Sequence, residues 1–542
     1  MSQFLSQFTL TLTPLTPIHI GCDLDFEPTN YVIEEGILYG FEPSQASLPD
    51  NLRQQLSGLG NRADLLGIQK FFKAHAKYFK PHAKILIPVS SGIARQFTNI
   101  AQNEARGNMV FNKLNIERSI ERSSHNPYTG LPYIPGSSFK GAVRTALLDS
   151  LNRNHLPERD EKSSALEKRL LKGDFHTSPL RLLKIADLMP IADLAHEIRY
   201  AVNRKKRLII DKQTGQEAQS KGVTARKEVI APGQYRALQA SVTMHHPDGV
   251  GSKDIPSLRY DDMREIAQLC NRFYQARLHA ELAVLDQRRF ASPEWIRALD
   301  QLLSGEIRQK LDRGDAFLIN LGRYGGAESK TLNGDGVAKI KIMQGKGMKP
   351  DCQSTTKTIW LASATEDARS DMQPYGWALV EINPQEELPS LKTWCDKQAA
   401  QRIDMSAVHA AFAAEKADAE QARQQLAQQR LAQQAQAEAD AHAEQAHRAE
   451  RASMSDALRA TEELCDALSN APKVKQPGSD IAKQAQSILS LACDPATAPA
   501  WTAQEKSTLV EKIAPILKDK AMLVGKDEKT FKALLRQCRG EV

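Results

Sequence analysis

Apolar and polar residues alternate over Phe8-Thr-Leu-Thr-Leu-Thr-Pro-Leu15, the period of a half-buried strand. Pro17-Ile-His-Ile-Gly21 leads from it into a loop. The stretch Tyr31-Val-Ile-Glu-Glu-Gly-Ile-Leu-Tyr-Gly-Phe41 predicts a hairpin that turns at Glu35-Gly36. Over residues 44–80 the period changes, with Leu65, Ile68, Phe71 and Phe72 at helical spacing. Strand patterning returns at residues 84–89 and 113–120. A short extended segment, a Pro-Gly turn and a helix follow over Pro132–Leu148. Residues 260–312 read as helical, 315–321 as a buried strand, and 358–361 and 375–382 as the last strands. Between them, residues 151–235 are charged and uneven. They read as an insertion or mobile loop rather than core.

The pattern changes again near residue 404. Ala, Gln and Glu dominate to about residue 468 with no Pro or Gly, which predicts one long helix or a coiled coil. Large apolar residues are sparse there (Phe412, Leu426, Leu431), which favours a solvated helix over a tight seam. Residues 470–480 read as a linker. Residues 481–538 predict three amphipathic helices with apolar faces at Ile488/Leu489, Leu509/Ile513/Ile516/Leu517 and Phe531/Leu534/Leu535.

Composition narrows the partners. The chain has 542 residues and a net charge of +7. Residues 401–542 hold 19 Lys+Arg and 20 Asp+Glu, so residues 1–400 hold 53 and 45. The positive field therefore belongs to the first four hundred residues and permits a polyanion partner. No apolar run is long enough to span a bilayer, and the first residues lack the charge and apolar pattern of a signal peptide. The seven cysteines are scattered without a Cys-x-x-Cys pair. Neither a zinc site nor a disulfide framework is expected, and reduced cytoplasmic thiols are the default.

Candidate chemistry centres on Tyr133-Ile-Pro-Gly-Ser-Ser-Phe-Lys-Gly-Ala-Val-Arg144. Gly136 permits a close turn, and Ser137 or Ser138 can cap the helix. Gly141 lets another backbone approach, and Lys140 and Arg144 share a helix face. Free amides, hydroxyls and cations converging at a helix start suit a phosphate. The same residues also make a capped amphipathic helix with solvated cations. Arg118 and Arg122 precede the turn, where surface pairing with Glu117 or Glu121 is the alternative. A second glycine loop holds Gly322, Arg323, Tyr324, Gly325, Gly326, Ser329 and Lys330. Such a loop can cradle backbone phosphates and stack a base. It lacks the spacing of a Walker loop. The basic cluster Arg204-Lys-Lys-Arg207 reads as a solvated loop.

Taken together, these motifs resemble the RAMP superfamily of CRISPR-associated proteins over roughly residues 8–385. The resemblance rests on Leu15–Gly21, Asn30–Tyr39, Tyr133–Arg144, Pro179–Asp187 and Leu321–Thr331. Within that superfamily, motif order and spacing look most like the family of fifth Csm subunits of type III-A effector complexes. The resemblance implies an α+β fold of two ferredoxin-like (RRM-like) modules with insertions. Residues 1–235 would form the first, with the charged insertion, and 236–400 the second, with the glycine-rich loop. A long helix over 401–470 and a small all-α module over 471–542 would follow, and the resemblance does not reach them. It further implies a non-catalytic subunit that binds guide RNA (crRNA) and caps the backbone filament near the guide 3′ end. Guide maturation would be supported through recruited nucleases, in antiviral defence. Target RNA and neighbouring backbone and small subunits are the other partners, and no cofactor or metal is implied. Carried over, Ser137, Ser138, Lys140 and Arg144 would face guide phosphates, and Gly322–Gly326 would be the family's glycine-rich loop.

The contrasting class is a metal-independent endoribonuclease, which needs a general base near a 2′-hydroxyl and a general acid at the leaving oxygen. Its candidates are His19, His125, His245 and His246, with Asp23, Asp25, Asp174 and Asp187 as loop aspartates. Structural roles are expected for the four aspartates, and His245-His246, just before Pro247-Asp248-Gly249, reads as an exposed turn. His19 at a strand end should make a structural hydrogen bond, and Asp187 should order the insertion. The C-terminal segment offers a third class. Residues 404–466 hold 6 Lys+Arg against 12 Asp+Glu, and 473–541 hold 12 against 8. An acidic spacer followed by a basic helical knob suits recruitment.

Overall fold

The alternation of the first strand is buried on both faces. In a computed structural model, β1 (Leu5–Pro14) is hydrogen-bonded on both edges, and Leu10, Leu12, Thr11 and Thr13 are all buried. The structure describes residues 4–99, 119–158, 161–174, 176–210, 215, 217, 224–247, 255–343, 347–470, 480–494, 501–520 and 526–541. Strands β2 (Gly21–Phe26), β3 (Tyr31–Glu34) and β4 (Ile37–Phe41) come next, then α1 (Asp50–Asn61), α2 (Leu65–Ala74) and α3 (Ala76–Phe79). After them run β5 (Ala83–Pro88), α4 (Ser91–Thr98), β6 (Ile120–Ser123), α5 (Gly136–Asn152) and α6 (Ser163–Leu170). The middle of the chain supplies β7 (Leu183–Ile185), β8 (Met189–Pro190), β9 (His196–Lys205), β10 (Ala225–Ile230) and β11 (Leu238–His245). Then come α7 (Met263–Gln287), α8 (Pro293–Ser304), α9 (Glu306–Arg313), β12 (Ala316–Asn320), β13 (Ile340–Ile342) and β14 (Asp351–Gln353). Strands β15 (Thr358–Ser363), β16 (Gln373–Pro374) and β17 (Trp377–Ile382) complete the sheets.

The first sheet has the order β12-β17-β1-β11-β7, with β8 also paired to β11. Helices α5 and α7 pack against it: Phe139 meets Phe317 at 6.2 Å between ring centroids, and the Tyr274 hydroxyl donates to Ala142 O at 3.0 Å. Asn271 ties α7 to the sheet, donating to Ala316 O and accepting from Leu318 N. The second sheet has the order β16-β15-β9-β10-β6-β2, and β3-β4-β5 form a third. Glu35 and Gly36, at φ +50° and +77°, make the expected hairpin turn.

Two expectations change. Both large sheets draw strands from either side of residue 235, so no break between compact units falls there. Residues 1–417 form one unit and 418–542 the other. Nor are the described residues of 176–235 an insertion. Strands β9 and β10 sit inside the second sheet and bury Ile198, Tyr200, Val202, Val229 and Ile230. The period-two signal of His196-Glu-Ile-Arg-Tyr-Ala-Val-Asn-Arg-Lys205 is present, but charges on the alternate positions mask it. The strand expected at 113–120 is described only from residue 119, as β6.

The remaining helices are α10 (Pro389–Ala399), α11 (Met405–Ser453), α12 (Asp456–Asn470), α13 (Asp480–Cys493), α14 (Ala503–Lys520) and α15 (Lys526–Cys538). The long polar helix ends at Ser453 rather than near residue 468, and the division between units falls inside it. Helix α12 belongs with the C-terminal bundle, where Leu464 and Leu468 bury against Leu489, Leu509, Ile513 and Phe531. Against the expectation of free thiols, Cys493 and Cys538 form a disulfide across 45 positions, joining α13 to α15 with Cα atoms 5.5 Å apart. Helix packing, not sequence spacing, brings the two thiols together. A loop of that length predicts about 2–4 kcal/mol of stabilisation. Thermal unfolding with and without dithiothreitol should show that loss, and Cys493→Ser should unfold identically in both. A wild-type transition insensitive to reductant would refute it.

Candidate nucleic-acid interface

Strand β12 is buried throughout and runs straight into the second glycine loop. At Gly322, φ is +84°, and a Cβ added there would lie 2.1 Å from His19 O. The Arg323 amide donates to the same carbonyl at 3.3 Å. At Gly325 an added Cβ would lie 1.7 Å from Asn320 Oδ1, whose amide nitrogen donates to Tyr375 O. The loop closes on itself through Ser329 Oγ to Gly325 O at 2.8 Å and Lys330 Nζ to Gly322 O at 2.5 Å. Tyr324 is packed rather than free, with its ring 5.2 Å from Trp360, 5.4 Å from Tyr375 and 5.8 Å from His19. Arg323 points the other way, with a side chain 70% exposed and only a 3.7 Å approach to Glu121 Oε2.

Beneath the loop lies a buried charge cluster. In the register of β6 and β10, Glu121 stands opposite Lys227, and the fully buried Lys227 ammonium is ion-paired with it. The same ammonium sits 5.1 Å from the Tyr324 ring centroid. His19 is buried; its Nδ1–H donates to Glu228 O at 2.7 Å and its Nε2 lies 3.7 Å from Glu121 Oε2. The facing His19 ring, working against burial and joined by Lys227, holds the Glu121 carboxyl at about 2. Burial alone would push the Glu228 carboxyl up. His196 Nδ1 at 2.9 Å, Arg122 Nε at 3.6 Å and the Ser123 amide at 3.0 Å hold it below its ordinary value instead.

The first motif is placed as helix α5, but most of its charges are already engaged. The Gly136 amide donates to Asp187 Oδ1 at 2.7 Å, so the carboxylate after β7 caps the helix and no serine does. A Cβ on Gly136 would meet Ile185 O at 2.5 Å. Lys140 Nζ donates to Leu183 O at 2.7 Å, and burial, with Lys184 adding, holds its ammonium below the usual lysine value. Arg144 makes a two-pronged pair with Glu167, with Nε at 2.5 Å from Oε1 and Nη2 on Oε2. Ser137 and Gly141 are exposed, Ser138 is half-buried, and an added Cβ on Gly141 meets nothing within 4 Å. Arg122 is mostly buried over the Phe26 ring, 4.5 Å from its centroid. Arg118 lies outside the described residues.

The two glycine turns are nonetheless joined. Arg323 bonds to His19, Ser124 N donates to Ile20 O at 2.6 Å, and Tyr133 N donates to Ser124 O at 2.9 Å, two residues before the Pro-Gly turn. The Pro17–Gly21 segment therefore bridges them. The remaining candidates hold structural contacts. His125 Nδ1–H donates to Ser123 O, His246 Nε2 bonds Ser6 Oγ, and His245 packs edge-on to Phe4. Asp174 accepts from His176 N, and burial, with Glu121 adding, raises the Asp25 carboxyl. Asp23 takes a positive φ of 58°. The basic cluster is partly spent, since Arg204 donates to Glu366 O and Ala368 O and Lys206 pairs with Glu328 at 2.6 Å. Among the described residues no group of three His, Cys, Asp or Glu could hold a metal ion. No helix among them is long and apolar enough to cross a membrane.

Sequence reasoning missed Lys227, Glu228, Glu167 and the capping role of Asp187. Each is a partner brought in by strand register or helix packing from 23 or more positions away. The one signal available was the Arg-Lys-Glu-Val-Ile run of β10, whose charges sit inside a strand pattern.

A family model for the RAMP superfamily matches residues 11–325. The chain is 24% identical over 341 residues to the CRISPR system Cms protein Csm5 of Methanocaldococcus jannaschii, covering 59% of this chain and 71% of that protein. Among solved structures, a chain of the Csm-crRNA-target RNA ternary complex of a type III-A CRISPR-Cas system aligns at 15% identity and TM-score 0.41, over 69% of this chain and 100% of that one. T. onnurineus Csm5 aligns at 15% identity and TM-score 0.33, over 58% and 89%.

Proposed function

The chain belongs to the RAMP superfamily, and from that premise we propose that it is a non-catalytic, guide-RNA-binding subunit of a type III-A Csm effector complex. In this reading it works in the cytoplasm, where it caps the backbone filament near the guide 3′ end and supports guide maturation by recruited nucleases. Its neighbours are backbone and small subunits, with target RNA paired to the guide. The sheets carry ferredoxin-like modules; the β7-β11-β1 order under α5 and α7 is consistent with one of them.

One observation carries the RNA site: the exposed Arg323 stands on a glycine loop whose backbone is bonded, through His19 and Ile20, to the segment entering the α5 turn. In this reading the strand passes over both turns, beside the exposed Ser137 and Arg323, while Lys330 adds charge from within the loop, where its ammonium is bonded to Gly322 O. Lys140 and Arg144 contribute less directly, because each is held by a protein partner. Phosphate contacts of this kind position a strand without reading its bases. The buried, hydrogen-bonded His19 favours a structural over a proton-transfer role.

Titration of labelled single-stranded guide RNA against the full chain tests this. Arg323→Glu with Lys330→Glu should weaken binding at least tenfold. It should also flatten the slope of log affinity against log salt by about 0.7 per lost phosphate contact. Arg144→Ala should change affinity far less. Unchanged binding in the double variant would remove the site, and cleavage of the RNA in EDTA would remove the non-catalytic reading.

A further inference from the structure

Strand β5 is the last strand of the third sheet, and its outer edge carries no paired strand among the described residues. On its inner side, Val89 N donates to Gly36 O at 2.8 Å, extending the β4–β5 register by one pair. Antiparallel strands alternate pairs that exchange hydrogen bonds with pairs that do not. Ile87 and Ile85 therefore turn their backbone groups toward Leu38 and Gly40 of β4, and Leu86 turns its own outward. The other side of β4 agrees: Phe41 N donates to Asn30 O, so Tyr39, which stands opposite Leu86, faces β3 as well. Among the described residues no hydrogen bond reaches the outward groups of Leu86 or the carbonyl of Pro88. A register shift opposite Lys84 ends this free edge on one side, and the bridge from Val89 to Ile198 of β9 ends it on the other. An unpaired edge is a template for a further strand.

A cavity of about 1390 Å³ runs along that edge. Ala83, Lys84, Ile85, Leu86, Pro88 and Val89 all line it. Successive side chains of a strand point to opposite faces, so a cavity that touches odd and even positions alike meets the edge and not one face. The turn between α10 and α11 supplies another wall, and Arg402 fixes it by donating from Nη2 to Gly233 O at 2.5 Å and to Pro232 O. Ile403 on this turn is 47% exposed, and the half-buried Met405 and Phe412 continue its apolar surface. Among the described lining residues, four Lys or Arg stand with five Asp or Glu, so the charges nearly cancel.

We infer that this groove takes an extended, uncharged peptide segment of a partner protein, which adds a short strand to β5. The peptide backbone bonds to the Leu86 N–H and C=O and to the Pro88 C=O. One row of its side chains lies on the wall of Ile403, Met405 and Phe412. The volume exceeds the range of small-molecule sites, about 300–1,000 Å³, and suits a length of chain. Cancelling charges give a phosphate backbone no net attraction, so the partner is a protein and not RNA.

The inference goes beyond the RNA interface and is tested separately from it. Full-length protein is titrated with a dye-labelled, end-capped peptide, Ser-Val-Thr-Val-Thr-Val-Ser, and followed by fluorescence anisotropy. Binding should saturate below about 1 mM, the weak end of specific association. N-methylating either the valines or the threonines removes the backbone donors of one edge of the peptide. At least one of the two forms should bind at least tenfold more weakly. Hydrogen exchange at the Leu86 amide should slow when the unmodified peptide is bound. Ile403 and Ser406 are exposed and can be changed without disturbing the core. Ile403→Glu, which charges the apolar wall, and Ser406→Trp, which fills the groove, should each weaken binding at least tenfold. Arg323→Glu with Lys330→Glu should bind the peptide as wild type does, whatever happens to its RNA affinity. No saturation, equal binding by both N-methylated forms and the parent, or an unchanged Leu86 exchange rate would overturn the assignment. So would a peptide affinity indifferent to both groove variants. Displacement of the peptide by oligouridine in the Arg323→Glu, Lys330→Glu background would give the groove to RNA instead. Self-association of the protein that Ile403→Glu abolishes would give it to a second copy.

Discussion

Glu121→Gln should destabilise the first unit by about 3 kcal/mol, and adding Lys227→Met should recover most of that loss. Lys227 is fully buried and its ammonium is paired with Glu121. Removing the carboxylate leaves a buried charge uncompensated, which costs about 3–5 kcal/mol, whereas replacing both partners by apolar groups is often near neutral. The low end applies because the Glu121 side chain remains 36% exposed and partly screened by water. The effect has a pH signature. The Glu121 carboxyl is depressed from 4.5 to about 2, first by the facing His19 and then by Lys227 against burial. A depressed carboxyl contributes stability that is complete above its unfolded value and fades as pH falls toward its folded one. Urea unfolding of wild type and Glu121→Gln should therefore differ fully at pH 6 and progressively less from about pH 4.5 downward. A difference independent of pH, or a double variant no better than the single one, would refute the pairing.

Gly322→Ala should cost about 2–5 kcal/mol, while Gly141→Ala should gain about 0.5–1 kcal/mol. Residue type and substitution are the same; only the surroundings differ. At Gly322 the backbone is left-handed at φ +84°, which costs an L-residue about 1–2 kcal/mol. The new methyl would also lie 2.1 Å from His19 O, so backbone must move, at about 1–3 kcal/mol. Gly141 lies within α5 with open space around its Cβ, and alanine is the better helix former. Chemical denaturation measures both. RNA titration of Gly141→Ala adds a second reading: if a strand passes close over that turn, the more stable variant should bind RNA more weakly. Gly322→Ala as stable as wild type would mean that the loop does not seat on His19.

Much of the fold was legible because its signals are local. The β1 alternation, the Glu35-Gly36 turn and the helical periods of 44–80 and 260–312 depend on neighbours within a few residues. Strand β9 was hidden because Glu197, Arg199 and Asn203 stand on its alternate positions and Arg204-Lys205 close it, which makes a core strand look like a solvated loop. The interface was half legible. Glycine turns and nearby cations announce a place where backbone can come close. Whether Lys140, Arg144 or Arg122 is free depends on Leu183, Glu167 and Glu228, which no spacing rule reaches.

The sequence by itself determined where the elements lie, where the chain turns, which stretch is a polar helix, and which motifs resemble the RAMP superfamily. All of these are properties of residues close together along the chain. Tertiary structure alone decided that the first 417 residues form one unit, that Cys493 meets Cys538, and that Asp187 rather than a serine caps α5. It also left Arg323 70% exposed, with a single 3.7 Å approach to Glu121, while Arg144 is gripped by both carboxylate oxygens of Glu167. The physical reason is that burial and charge pairing are set by contacts across the fold, and here those contacts join residues from 23 to more than 200 positions apart.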